Sequence, residues 1–325
     1  MPPAETAAQR QSVGVEAHAG PPRRYRAFGL TWSSTFPLPL VETTSDAEPD
    51  VMLRLCEDVD ALWSGNPRTP DWRFRIDGRR FVVQRGWAGD FRLAQQEGVR
   101  FHLDRAATLI ACEPAVVSDP ASQRLLLDTV LWTTTLLHGL EGLHASAVQT
   151  ASGAVAFLAG SGGGKTSIAF ELVRRGYPLV CDDVLILERR GGGFVAHPSP
   201  PLMNLPAAMP VQGVEVDPIA RIGDESWVSV AHVATRQPSG LAHLFLLDRA
   251  PGLGGRIVAM EPTALDLLRH AQVHAFADAW ELRRFELCSD LALRVPLSRI
   301  EADVDAAPSE IADLVERALT GAEAA

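Results

Sequence analysis

The chain has 325 residues, 46% hydrophobic and 22% charged, the make-up of an ordinary globular protein of one large or two medium domains. Its net charge of −10 argues against general nucleic-acid binding, which needs a basic face. Four scattered cysteines (Cys56, Cys112, Cys181 and Cys288) disfavour a disulfide framework or a zinc site, and neither a signal peptide nor a membrane span is visible, so a cytoplasmic protein with no membrane partner is expected.

Residues 1–23 are rich in Ala, Pro, Gln and Gly without periodicity and read as a flexible tail. Residues 24–118 read as a β-rich accessory or docking domain. Its clearest signal is a hairpin, residues 72–76 and 79–83 alternating around Asp77-Gly78. Residues 91–93 and 99–103 read as further strands. The third segment, 119–325, begins with a helix from Asp119-Pro120 that is apolar nearly all round and ends near Gly139 or Gly142. A strand at 144–148 follows, paired antiparallel with a second at 154–158 because the turn at 151–153 is too short for a crossover.

Residues 157–167 read Phe-Leu-Ala-Gly-Ser-Gly-Gly-Gly-Lys-Thr-Ser. A strand, a glycine-rich loop, a lysine and a hydroxyl residue opening a helix make a phosphate cradle. The nucleotide-binding residues are then Ala159, Gly160, Ser161, Gly162, Gly163, Gly164, Lys165, Thr166 and Ser167. Lys165 reaches the β- and γ-phosphates and Thr166 ligates Mg²⁺. The spacing departs from G-x-x-x-x-G-K-S/T only at Ala159, which suits a tight turn unless φ must be positive there. Ile168, Ala169, Leu172 and Val173 recur at helical spacing up to Gly176.

A strand at 177–181 then leads to Asp182-Asp183, expected beside the loop strand. One carboxylate there can ligate Mg²⁺ and the other can accept the proton of an attacking hydroxyl. A solvated turn is the plainer reading of two adjacent aspartates, and a core residue that of His144. Residues 184–187 and 194–197 form a hairpin through residues 189–193. Proline-rich 198–210 reads as a loop. Strands at 241–247, 255–258 and 292–295 and helices at 262–270 and from Ser309 complete the chain.

The order of residues 143–148 (Leu-His-Ala-Ser-Ala-Val), the loop and Asp182-Asp183 resembles the catalytic core of HPr kinase/phosphorylase, related more distantly to ATP-dependent phosphoenolpyruvate carboxykinase. The resemblance covers residues 143–187. It implies an α/β fold with a P-loop core and a mixed sheet; the small β-rich N-terminal domain that precedes this core differs from the usual HPr-kinase N-terminal module. It also implies ATP and Mg²⁺ as cofactors, Thr166 and Asp183 on the metal, Asp182 as the base for a serine hydroxyl, and His144 and Lys165 at the phosphate end. The Glu-x-Arg-Gly-Leu-Gly-like segment of the HPr enzymes, linked to dephosphorylation and hexamer contacts, is missing. The layout is more similar to the HPr-kinase-like proteins that phosphorylate the C-terminal serine of lasso-peptide precursors, ribosomally made and then tailored. The expected partner is therefore a precursor peptide or small protein, and self-association into a homo-oligomer stays open. The competing readings are an HPr-type protein serine kinase, a non-catalytic nucleotide-binding protein that docks a peptide, and a small-molecule phosphotransferase. Arg221 is the best downstream candidate for a phosphate contact, although a solvated loop arginine is its plainer reading.

Overall fold

A computed structural model describes residues 21–65, 71–76, 79–96, 98–271 and 278–321. Most of the tail and the Asp77-Gly78 turn lie outside the described residues. The chain divides into two compact units, chiefly up to His138 and chiefly from Gly139 onward.

The first unit carries β1 (Arg23–Ala27), β2 (Leu30–Ser34), β3 (Val51–Leu55), β4 (Asp71–Ile76), β5 (Arg79–Arg85), β6 (Phe91–Gln95), β7 (Arg100–Leu103) and β8 (Leu109–Cys112). They form one sheet in the order β1-β2-β3-β8-β7-β6-β5-β4. The expected hairpin strands pair antiparallel, Phe74 opposite Phe81. A one-turn helix, α1 (Ala115–Ser118), precedes α2 (Pro120–Leu125), a π-helical stretch (Leu126–Leu131) and α3 (Trp132–Leu137). Asp119 caps α2 by accepting from the Ala121 and Ser122 amides, with Pro120 in the first turn, where its missing N–H costs nothing. Leu125, Thr129 and Val130 line a small apolar pocket with Phe81, Leu93 and Phe101. The helix therefore packs on the sheet that precedes it, whereas its sequence had grouped it with the loop segment.

The second unit begins with β9 (Glu141–Thr150), β10 (Gly153–Leu158), α4 (Lys165–Arg174), β11 (Leu179–Cys181), β12 (Val184–Arg190) and β13 (Gly193–His197). Then come β14 (Leu202–Pro206), β15 (Asp217–Ile222), β16 (Glu225–Ser229), β17 (Ser239–Arg249), β18 (Gly255–Ala259), α5 (Ala264–Leu268), α6 (Asp278–Arg294), β19 (Leu297–Ala302) and α7 (Pro308–Thr320). The architecture is mixed α/β. β10 runs antiparallel to β9 and parallel to β17, which is parallel to β19. Every residue of β10 is buried, because both faces are covered. Ala154, Ala156 and Leu158 face a core shared with Leu267 of α5 and Leu287 and Leu291 of α6. Val155 and Phe157 face Ile168 and Leu172 of α4 and Ile311 and Val315 of α7.

Three expectations are corrected. Residues 198–210 are not a plain loop, since β14 lies within them as the edge of the small β14-β16-β15 sheet. An edge position tolerates its terminal Pro206. β11 pairs with β9, not with the loop strand β10. Residues 292–294 end α6, and the strand expected there is β19, beginning at Leu297. α6 itself had no counterpart among the expected helices.

Candidate functional site

The glycine-rich loop joins the C-terminal end of β10 to α4. Gly162 and Gly164 hold left-handed φ values of 71° and 96°, a region that costs an L side chain about 1–2 kcal/mol. Ala159 is not among the positive-φ residues, so its methyl group is tolerated where the motif has its first glycine. The loop closes through the Gly163 amide on the Gly160 carbonyl at 3.0 Å, and α4 starts with the Ile168 amide on the Gly164 carbonyl at 3.0 Å.

Lys165, the first residue of α4, is buried. Its ammonium donates to the carbonyls of Ala159 at 3.2 Å and Gly160 at 3.4 Å and to His144 Nε2 at 3.0 Å. That last contact defines the imidazole. An ammonium only donates, so Nε2 is the acceptor; Nδ1 lies 3.0 Å from the Asp183 carbonyl oxygen, which only accepts, so Nδ1 carries the proton. His144 is neutral, in accord with a pKa lowered first by burial and then by the Lys165 charge. Burial also lowers Lys165, against the opposing pull of Asp183 and Asp182.

The acidic pair sits at the bend between β11 and β12, both of which pair with β9. The Val184 amide bonds the Asp182 carbonyl at 2.8 Å, a three-residue turn with Asp183 in its centre at φ 65°. Such turns are rare and strained. Asp182 Oδ1 accepts from Ser146 Oγ at 2.6 Å and Thr166 Oγ1 at 2.8 Å, and Oδ2 accepts from the Asn204 amide at 3.1 Å. Asn204 spans the pair, its backbone amide on Asp182 and its side chain donating Nδ2 to Asp183 Oδ2 at 2.9 Å. Burial raises the Asp182 pKa to about 7, with the Asp183 charge second, and wins over the donors that favour the carboxylate.

Lys165, Thr166, His144, Asp182 and Asp183 thus meet in one place. Arg221 lies exposed on β15 and joins none of them. Sequence reasoning missed three residues. Ser146 is two residues beyond His144 on the same strand, so the period-two face of β9 was its available signal. Asn204 is carried by the edge strand read as loop, and its buried Oδ1 has no partner. His270 follows α5; its carbonyl accepts the His144 amide at 2.7 Å, and its pKa is pushed down to about 4, by burial first.

The donor set suits Mg²⁺. Asp182, Asp183, the Thr166 hydroxyl and the unpaired Asn204 Oδ1 are hard oxygen donors, and Mg²⁺ is usually held by one or two carboxylates together with substrate phosphates. Among the described residues no group of three or more His, Cys, Asp or Glu able to hold a metal occurs, and no helix there is long and apolar enough to cross a membrane.

No protein-family model and no curated protein matches the chain. Among solved structures it is similar to the HPr(Ser) kinase/phosphatase from Coxiella burnetii, with 14% identity over 56% of this chain and 99% of that chain and a TM-score of 0.32.

Proposed function

We propose that this chain is an ATP- and Mg²⁺-dependent kinase that transfers the γ-phosphoryl group to a serine hydroxyl of a peptide, the C-terminal serine of a lasso-peptide precursor. The observation that carries the reading is the 2.8 Å bond from Thr166 Oγ1 to Asp182 Oδ1, which joins the loop's metal-ligating hydroxyl to the acidic pair. The peptide substrate rests on the resemblance of the layout to the lasso-peptide tailoring kinases: the N-terminal β domain, residues 143–148, the glycine-rich loop and the proline-containing stretch after the acidic pair.

Loop amides between Gly160 and Thr166 bind the β- and γ-phosphates, aided by the positive end of the α4 dipole. Lys165 leaves the Ala159 and Gly160 carbonyls to donate to the same phosphates, guided by neutral His144. Thr166 and Asp183 would hold Mg²⁺, which when bound would supply charge neutralisation at the transferred group. Asp182, its pKa raised to about 7, takes the serine proton as the Ser O–P bond forms and the β–γ bridging P–O bond breaks, leaving ADP and a phosphoserine. The Thr166–Asp182 bond also favours a second order, in which Asp182 turns Thr166 toward the metal and Asp183 takes the proton. Mg²⁺ titration of Asp182→Asn and Asp183→Asn separates the two, because the metal-side variant loses affinity and the base variant loses turnover.

The test is mass spectrometry of serine-ended precursor peptides and of HPr after incubation with the protein, ATP and Mg²⁺. A peptide heavier by one phosphate, absent with Asp182→Asn, is expected. Phosphorylation of HPr alone would move the assignment to a protein kinase. Tight ATP binding without transfer to any acceptor would leave a peptide-docking accessory protein.

A further inference from the structure

Resting on the nucleotide-site reading above, the geometry points to Arg249 as the contact for the nucleoside end of ATP, its base or ribose. The loop strand β10 has two flanking neighbours. On one flank, β9 carries His144 and Ser146, and β11, paired with β9, leads to Asp182 and Asp183. Transfer belongs to that flank. On the other flank β17 runs parallel to β10, matched as far as Leu158 opposite Leu246, and Arg249 follows three residues later at the end of β17, level with the loop. Ligands of parallel α/β sheets lie in the crevice beyond the carboxyl ends of the strands. A triphosphate whose γ-group faces the carboxylates therefore extends its nucleoside toward β17.

The guanidinium lies against the loop. A Cβ built on Gly164 would stand 3.4 Å from Arg249 Nη2, 3.6 Å from Cζ and 3.7 Å from Nε, nearly equal distances that set the guanidinium plane face-on to that glycine. Its donors are largely unspent. Nη1 donates to the Val304 carbonyl at 3.3 Å, and Nε is buried without a partner. Lys165, by comparison, has three acceptors. An arginine kept beside a phosphate loop with free donors and a planar face suits the acceptors of a ribose or the ring of a purine, on which guanidinium stacks well. A role confined to tying Val304 would leave the buried Nε unpaired at all times.

The test measures equilibrium binding of ATP, ADP and inorganic tripolyphosphate to the full chain and to Arg249→Ala. Arg249→Gln, whose amide keeps a donor for Val304, serves as a second variant, and thermal melts confirm that both fold. Both variants are expected to weaken ATP and ADP on the order of tenfold while leaving tripolyphosphate unchanged, with turnover at saturating ATP retained. Equal ATP affinity in variants and parent overturns the inference alone. Equal loss of tripolyphosphate also overturns it, because Arg249 would then be a phosphate ligand. A parent chain that binds neither ATP nor tripolyphosphate brings down the nucleotide-site reading and this inference together.

Discussion

Thr166 Oγ1 donates to Asp182 Oδ1 at 2.8 Å across a separation of 16 residues. The bond ties the first turn of α4 to the bend after β11, although β11 pairs with β9 and not with the loop strand. Ser146 closes the gap, since it sits on β9 between the two and donates to the same oxygen at 2.6 Å. The two hydroxyls hold one carboxylate beside the N-terminus of α4.

Replacing Asp182 with asparagine is expected to stabilise the metal-free protein at neutral pH while abolishing transfer. The native carboxyl holds its proton up to about pH 7, the unfolded one only to 3.8, so the native state binds the extra proton between them. Its contribution is complete below the unfolded value and fades as pH rises through the folded one, on the order of 1 kcal/mol per unit. An amide keeps the contacts: Nδ2 can donate to both hydroxyls and Oδ1 can accept from the Asn204 amide. Thermal melts from pH 4 to 8 should show parent and variant diverging toward neutrality. Parallel curves would contradict the raised proton affinity.

Asn204→Ala should reduce transfer by about ten- to a hundredfold, as loss of an orienting partner commonly does. Stability should move little. The lost bond to Asp183 costs about 1.5–3 kcal/mol, but the unpaired buried Oδ1 disappears with it, returning about 1–3 kcal/mol. A heavily destabilised variant with full activity per folded molecule would assign Asn204 to the scaffold instead.

Lys165→Met removes a positive neighbour from His144 and should raise that histidine's pKa. NMR titration of the imidazole resonances reads the shift directly, and the same variant should lose triphosphate binding. An unmoved His144 would mean that the Lys165–His144 contact is absent in solution.

The loop glycines should differ in tolerance. A Cβ on Gly163 would fall 2.7 Å from the Ala159 Cβ and 3.0 Å from the Gly160 carbonyl oxygen, so Gly163→Ala must displace backbone. Gly160 has nothing within 4 Å of that position, so Gly160→Ala should fold and bind almost normally. ATP affinity should drop at least about tenfold for the first, because small misplacements at such sites are costly. Equal affinities would show that the loop adapts freely.

Local signals in the sequence proved legible. Gly191 and Gly192, at φ 59° and 83°, make the turn expected between β12 and β13. Ile311, Leu314 and Val315 bury the expected face of α7, and Val148 pairs with Val155 across the antiparallel β9–β10 ladder. α6 escaped because it is apolar on two sides: Leu287 and Leu291 are buried while Leu282 and Leu293 are exposed, leaving no single stripe to read.

Short-range chemistry along the chain was enough to determine the strand, the glycine loop, the lysine and hydroxyl after it, and two aspartates downstream, because turn glycines and helix periodicity act within a few residues. Only the tertiary structure decided that β11 lies on β9, that Ser146 and Asn204 share the aspartates, and that Arg249 reaches the loop from β17. Those are pairings between strands distant in the chain. They are chosen by which faces can be buried together, a competition that no short window of sequence records.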